Sequence, residues 1–164
     1  MTSPKVLIEE RGKGMGALAA NPERAWQALA WLGGLLAVVG LGDFVLAFVP
    51  WGSGPEWEFG TVASVFAGLP LPTLGLAAIL GAAYARGRRR TVIGMGVVLL
   101  LLAVAVGWML VTFLTDIPIA LKSGAQAEVM LGLKKAMVKT ALLGALFGLA
   151  YLVAGIKALR GGLR

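Results

Sequence analysis

The sequence predicts an all-α membrane protein: a four-helix transmembrane bundle with both termini in the cytoplasm and amphipathic helical segments on the extracytoplasmic side. Three observations predict this fold class. Of the 164 residues, 59% are hydrophobic and only 14% are charged, and the mean hydropathy is +0.86. A soluble domain of this length would need more charge to cover its surface. Long apolar runs alternate with short polar segments, and the basic residues are shared unevenly among those segments.

The four apolar runs differ in strength. The spans are expected at about residues 25–50, 70–87, 91–115 and 137–158. The first has a clear start, because Asn21 suits a helix N-cap and Pro22 suits the first helical position. Between Leu29 and Val49 its only charged residue is Asp43. The third run has no charge, and both runs exceed the roughly 20 residues that a membrane helix needs.

The remaining segments complete the domain organisation. Residues 1–20 are expected to form a cytoplasmic tail, residues 21–159 the four-span domain and residues 160–164 a cytoplasmic C-terminus. The expected connections are an inner loop at residues 86–90 and outer loops at residues 51–69 and 116–136. Asp116 and Pro118 are expected to end the third span. The fourth helix is expected to start near Ser123 or Gly124 and to project outward before it crosses the membrane.

The first outer loop carries an apolar stripe at helical spacing, formed by Phe59, Val62, Phe66 and Leu69. This pattern favours a short amphipathic helix lying at the outer membrane interface. The alternative is a tilted outer extension of the second span that is kinked at its prolines, 70 and 72.

The distribution of basic residues predicts the topology. Eleven of the 15 lysines and arginines fall in the segments assigned to the inner side and four in the outer ones, so the positive-inside rule places both termini in the cytoplasm. The Ala, Gly, Leu and Arg usage suggests a bacterial cytoplasmic membrane. A tight basic turn should set the topology and contact anionic lipid phosphates at the inner face; it contains Arg86, Arg88, Arg89 and Arg90. No nucleic-acid partner is expected.

Asp43 is the main candidate for a special role, because a charged side chain within a span should face protein or water rather than lipid. A polar cluster near the outer side is expected to contain Asp43, Thr112, Asp116 and Lys139. The favoured interpretation is structural, with Asp43 neutral or paired and fixing helix packing. The alternative is a contact with an ion, a proton or a substrate.

Small residues predict where helices approach closely. Gly40 lies on a small-residue side of the first helix with Gly33 and Ala37, and Gly144 and Gly148 form a GxxxG motif in the fourth. The two halves of the chain also resemble each other loosely, so a duplicated helical hairpin is an open alternative.

The function predicted is that of a non-catalytic structural or accessory subunit of a larger membrane assembly, with other membrane subunits or further copies of the chain as partners. The chain has no Cys and no His, which excludes disulfides, thiolate zinc sites and His-ligated haem within it. No enzyme activity, metal or cofactor is expected. The alternative is a small transporter or channel component that uses Asp43; an enzyme working with outer carboxylates, such as Glu56 and Glu58, ranks third.

Overall fold

The computed structural model describes residues 21–49, 51–52, 54–121 and 127–163, and within these ranges the chain is all-helical, with no strand. The helices are α1 (Pro22–Leu46), α2 (Pro55–Gly68), α3 (Pro70–Ala85), α4 (Arg89–Leu121) and α5 (Ala127–Leu163). The predicted tail, residues 1–20, and the predicted start of the fourth helix at Ser123 or Gly124 lie outside the described residues.

Four helical segments among the described residues are long and apolar enough to cross a membrane, which confirms the predicted class of fold. They are Pro22–Leu46, Trp57–Ala85, Arg89–Pro118 and Lys134–Gly162. Their 25 to 30 residues correspond to roughly 38–45 Å of helix, which exceeds a hydrocarbon layer of about 30 Å. The helix that contains the fourth span, α5, has 37 residues in all and therefore extends well beyond such a layer.

The second span is longer than residues 70–87, because α2 runs into α3 almost without interruption. Leu69, between the two helices, keeps a right-handed helical backbone, and its carbonyl oxygen accepts a hydrogen bond of 3.1 Å from the Thr73 N–H. Val65, Phe66 and Leu69 are buried in the bundle. The apolar stripe of the expected outer loop therefore packs against other helices, in the arrangement of the kinked alternative rather than that of an interfacial helix.

The third helix continues past its expected end. α4 includes Asp116 and Pro118 and ends at Leu121. A proline removes the hydrogen bond that its own N–H would donate, and its ring presses on the carbonyl four residues earlier. Pro118 lies three residues from the end of α4, where both effects disturb little of the helix. The expectation that the helix ends at Asp116 and Pro118 is therefore corrected by one turn.

The helices pack as two hairpins that meet through α2 and α3. α1 packs along α3, α4 packs along α5, α2 contacts both α4 and α5, and α3 contacts α4. Within the described residues α1 contacts only α2 and α3. The largest fully buried side chains are Phe66, Phe113 and Tyr151, so the core lies where α2 and α3 meet the second hairpin.

Close backbone contact holds the first hairpin together. A Cβ atom at Gly33 would lie 2.7 Å from the Gly75 carbonyl oxygen, and one at Gly75 would lie 2.6 Å from the Ala37 nitrogen. A Cβ atom at Gly40 would overlap the Pro72 ring. The small-residue side of α1 thus fits directly against α3, which is how membrane helices gain van der Waals contact.

The arginine turn is bonded to α1 and α5 at one end of the bundle. Gly87 adopts a left-handed backbone conformation (φ 62°), and the Arg88 N–H donates to the Ala83 carbonyl at 3.0 Å, as in a glycine-terminated Schellman motif. Arg86 forms an ion pair of 3.2 Å with Glu23 in the first turn of α1. Arg89 donates a hydrogen bond to the Gly162 carbonyl near the end of α5. The start of α1, the turn and the end of α5 therefore share one end of the molecule.

Candidate functional site: a lateral crevice at Asp43

A crevice of about 320 Å³ opens between the two hairpins, on the side where α1 and α4 stay apart. Its volume is near the lower end of the range for ligand pockets, about 300–1,000 Å³. The buried side chains of Val65, Leu69 and Tyr151 line its deep part. The other lining residues are Gly40, Leu41, Asp43, Phe44, Ala47, Ser64, Gly68, Pro72, Leu102, Ala105, Val106 and Met109. We refer to this space as the Asp43 crevice.

The crevice exists because two different contacts hold its walls. On one wall, Gly40 of α1 lies directly on Pro72, which pulls α1 toward α3. On the other side, the Tyr151 hydroxyl lies 2.5 Å from the Thr73 hydroxyl, which ties α5 to α3. With α1 on one side of α3 and the second hairpin on another, the gap between α1 and α4 stays open.

The wall of the crevice is almost entirely apolar, and three polar groups stand out in it. The Ser64 hydroxyl donates to the Gly60 carbonyl at 2.9 Å. The second group is the Tyr151 hydroxyl, which donates to the Thr73 hydroxyl because Thr73 itself donates to the Leu69 carbonyl at 2.6 Å. The hydroxyl protons of Ser64 and Tyr151 are thereby used. The third group is the Asp43 carboxylate, which is exposed and has no hydrogen bond or ion pair with any described residue.

The depth of Asp43 in the bundle makes this carboxylate the most important group of the candidate site. Asp43 follows Glu23 by 20 residues, which places it about 30 Å from the arginine end of the bundle at 1.5 Å per residue. It lies one turn before the end of α1, and the apolar side chains of Leu41, Phe44 and Ala47 line the crevice with it. A carboxylate among such neighbours is costly unless a donor, a cation or water reaches it.

The other members of the expected polar cluster lie on α4 and α5, and within the described residues none of them forms a hydrogen bond or ion pair with Asp43. The Thr112 hydroxyl donates to the Met109 carbonyl of its own helix at 2.9 Å. Asp116 is half-buried on α4. Lys139 is exposed and lines a shallow groove on α5 with Lys134, Lys135, Val138, Leu142 and Leu143. Because α1 packs on α3 and does not contact α5, the structure does not bring Asp43 and Lys139 of one chain together.

The GxxxG glycines of α5 have different neighbours. A Cβ atom at Gly144 would overlap the ring of Phe66, whereas one at Gly148 would lie 3.5 Å from Val106, an ordinary contact. Gly144 therefore receives the Phe66 side chain of α2 within the same chain.

The four arginines predicted to contact lipid have different surroundings. Arg86 and Arg89 bind groups of the protein, and Arg88 and Arg90 are exposed.

Sequence reasoning missed the Thr73–Tyr151 hydrogen bond and the role of Ser64 in the crevice. A signal for the first was present, since a hydroxyl within an apolar span tends to bond across to another helix. Ser64 had no such signal, because its hydroxyl bonds to its own helix.

The fold defines the chain as a multi-pass helical membrane protein by the length and composition of its four apolar helices. No group of three or more acidic side chains that could hold a metal ion occurs among the described residues. No family model matches the chain, and neither the curated proteins nor the solved structures contain a match.

Proposed function

We propose that this protein is a non-catalytic subunit of a larger membrane assembly and that the Asp43 crevice receives a transmembrane segment of a partner. The observation that carries the proposal is the exposed Asp43 carboxylate, which lines an apolar crevice and has no hydrogen bond or ion pair with any described residue. An incoming helix with an apolar face and one donor or cation at this depth would fill the crevice and satisfy the carboxylate.

The membrane and the topology belong to the same proposal. The protein lies in a bacterial cytoplasmic membrane with both termini on the cytoplasmic side. This orientation places eleven of the chain's 15 basic residues on the inner side, as the positive-inside rule requires. Arg88 and Arg90, exposed in the turn at that end, have the position and charge to bind anionic lipid phosphates.

A second candidate function is transport, with Asp43 as a site for a cation or a proton. The exposed carboxylate in a crevice favours it. Its lining residues on α1 run from Gly40 to Ala47, about 10 Å of helix, which is a third of a hydrocarbon layer. Ala37 and Leu76 are buried just below, where Gly33 and Gly75 bring α1 and α3 into contact. The shape of the crevice therefore suits the lateral binding of a helix better than the passage of an ion across the membrane.

The test compares two variants purified in mild detergent and weighed intact by native mass spectrometry. Ser64→Leu places a larger side chain in the crevice, whereas Val104→Leu places the same leucine side chain on an exposed face of α4 outside it. We expect the wild type and Val104→Leu to carry the same bound subunit and Ser64→Leu to lose at least about nine-tenths of it, as for a steric block of a packed interface. A wild type that is monomeric, or equal binding by both variants, would overturn the proposal.

Transport is tested separately. Reconstituted wild type and Asp43→Asn are compared for cation and proton flux in liposomes. Flux that requires the carboxylate would favour the second candidate over the first.

A further inference from the structure

We infer that the partner segment is α5 of a second copy of this chain, with Lys139 of that copy bound to Asp43. The inference rests on the proposed function, because it names the occupant of the crevice. Three observations support it: the depth of the two charged residues, the shape of the α5 surface around Lys139, and the restriction that the membrane places on how copies can meet.

The two charges lie at similar depth. Lys139 precedes Gly162 by 23 residues, which places it about 35 Å from the arginine end, compared with about 30 Å for Asp43. A lysine side chain reaches across this difference. Both side chains are exposed, and neither has an ion pair with another described residue. In depth along the bundle, Lys139 is therefore the nearest cation among the described residues that a neighbouring copy can offer to Asp43.

Lys139 heads an exposed stripe on α5. The stripe continues through Leu142, Leu146, Leu149 and Val153, all exposed. Their alternating spacings of three and four residues keep them on one side of the helix, as in the seam of a left-handed helix pair. The opposite side of α5 is already occupied, since Gly144, Tyr151 and Ala158 are buried against the rest of the chain.

The membrane makes these two surfaces compatible. All copies insert in the same orientation, so a contact between copies must be related by an axis along the membrane normal. Under that restriction a residue keeps its depth from copy to copy, and the 5 Å difference between Asp43 and Lys139 is preserved. The crevice and the stripe are different surfaces of one molecule, so the contact is head-to-tail and repeats around a ring.

The absence of cysteine from the sequence allows a direct test by disulfide formation in isolated membranes. Ser64→Cys changes one atom in the crevice wall, and Leu142→Cys lies on the stripe at a similar depth. Each variant carries a different affinity tag and the two are co-expressed. We expect a disulfide-linked pair that contains both tags, and none between two copies of the same variant.

The matched control replaces Ser64→Cys with Val104→Cys, which is exposed on α4 but does not line the crevice. Co-expressed with Leu142→Cys, it should give less than about a tenth of the cross-linked product, because this face lies outside the interface. Equal cross-linking in both combinations would indicate random collision and would overturn the inference.

Charge reversal tests the ion pair itself. Asp43→Lys and Lys139→Asp should each weaken self-association about tenfold or more, and the chain that carries both changes should recover most of it. Lys134→Asp is the control, because Lys134 borders the same groove but lies about 8 Å beyond Lys139 along α5, further from the depth of Asp43. If the double reversal binds no better than either single change, the pairing is wrong.

The outcomes separate the two proposals. Cross-linking between copies supports both. No cross-linking, together with loss of a different bound chain in Ser64→Leu, overturns the second copy as partner and leaves the proposed subunit role supported. Monomeric wild type with no cross-linking overturns both.

Discussion

The hydroxyl oxygens of Thr73 and Tyr151 lie 2.5 Å apart and connect the two hairpins of the bundle. Thr73 donates its own proton to the Leu69 carbonyl, next to two prolines that lack an N–H. Tyr151 is almost fully buried and lines the deep end of the Asp43 crevice. One hydrogen bond therefore links the second span, next to its prolines, to the residue at the deep end of the candidate site.

Removing this hydrogen bond should weaken the bundle by a small amount that can be measured. Tyr151→Phe keeps the ring and removes the hydroxyl, so we expect a loss of about 0.5–1.5 kcal/mol, the range for hydrogen bonds between membrane helices. Unfolding in mixed detergent micelles measures it. In a double-mutant cycle with Thr73→Val the two losses should be less than additive; full additivity would show that the two hydroxyls do not interact.

The GxxxG motif of α5 should respond unequally to substitution. A Cβ atom at Gly144 would overlap the fully buried Phe66 ring, which has no space to move. Gly144→Ala should therefore destabilise the fold by about 1–3 kcal/mol, measured by the same unfolding assay. Gly148→Ala, with Val106 at 3.5 Å, is the matched control and should change stability little. Equal effects would mean that Phe66 does not occupy the gap at Gly144.

Helical periodicity and hydropathy were enough to predict the four apolar helices, because both depend on neighbouring residues of the chain. They could not place residues 55–68, since the Phe66 stripe suits a membrane interface and a bundle core equally well. Residues 55–68 lie in the bundle because the Phe66 ring fits into the gap that Gly144 leaves on α5. Long-range fit of this kind has no signal in a single sequence.

The candidate site shows the same limit. Asp43 could be singled out because a charge within an apolar run is a local feature. Its expected neighbours depended on which helices lie side by side, and α1 packs on α3 rather than on α5. The crevice follows from two distant contacts, Gly40 with Pro72 and Thr73 with Tyr151, neither of which the spacing of residues along the chain reveals.

Gly40 and Gly42 lie on nearly opposite sides of α1 and should respond differently to substitution, which tests the contact that forms one wall of the crevice. Gly40 lies against the Pro72 ring, whereas nothing lies within 4 Å of a Cβ atom at Gly42. Gly40→Ala should lower the thermal midpoint in detergent, because α1 must move away from α3. Gly42→Ala should leave it unchanged or raise it slightly, since alanine favours a helix. A lower midpoint for Gly42→Ala alone would contradict this packing.

The proposed topology makes a prediction about which end of the bundle meets the cytoplasm. Glu23, the arginine turn and Gly162 share one end, and the positive-inside rule assigns that end to the cytoplasm. In the cysteine-free chain, Arg88→Cys marks this end and Trp51→Cys, which is 82% exposed, marks the other. A membrane-impermeant maleimide added to intact spheroplasts should label Trp51→Cys alone, and after lysis it should label both variants.

Replacing one arginine leaves ten basic residues on the proposed inner side against four on the outer side, so the variant itself should not invert the chain. Labelling of Arg88→Cys in intact spheroplasts would place the arginine turn outside. It would remove the basis for anionic lipid binding at the inner face, but not the crevice, whose geometry does not depend on the direction of insertion.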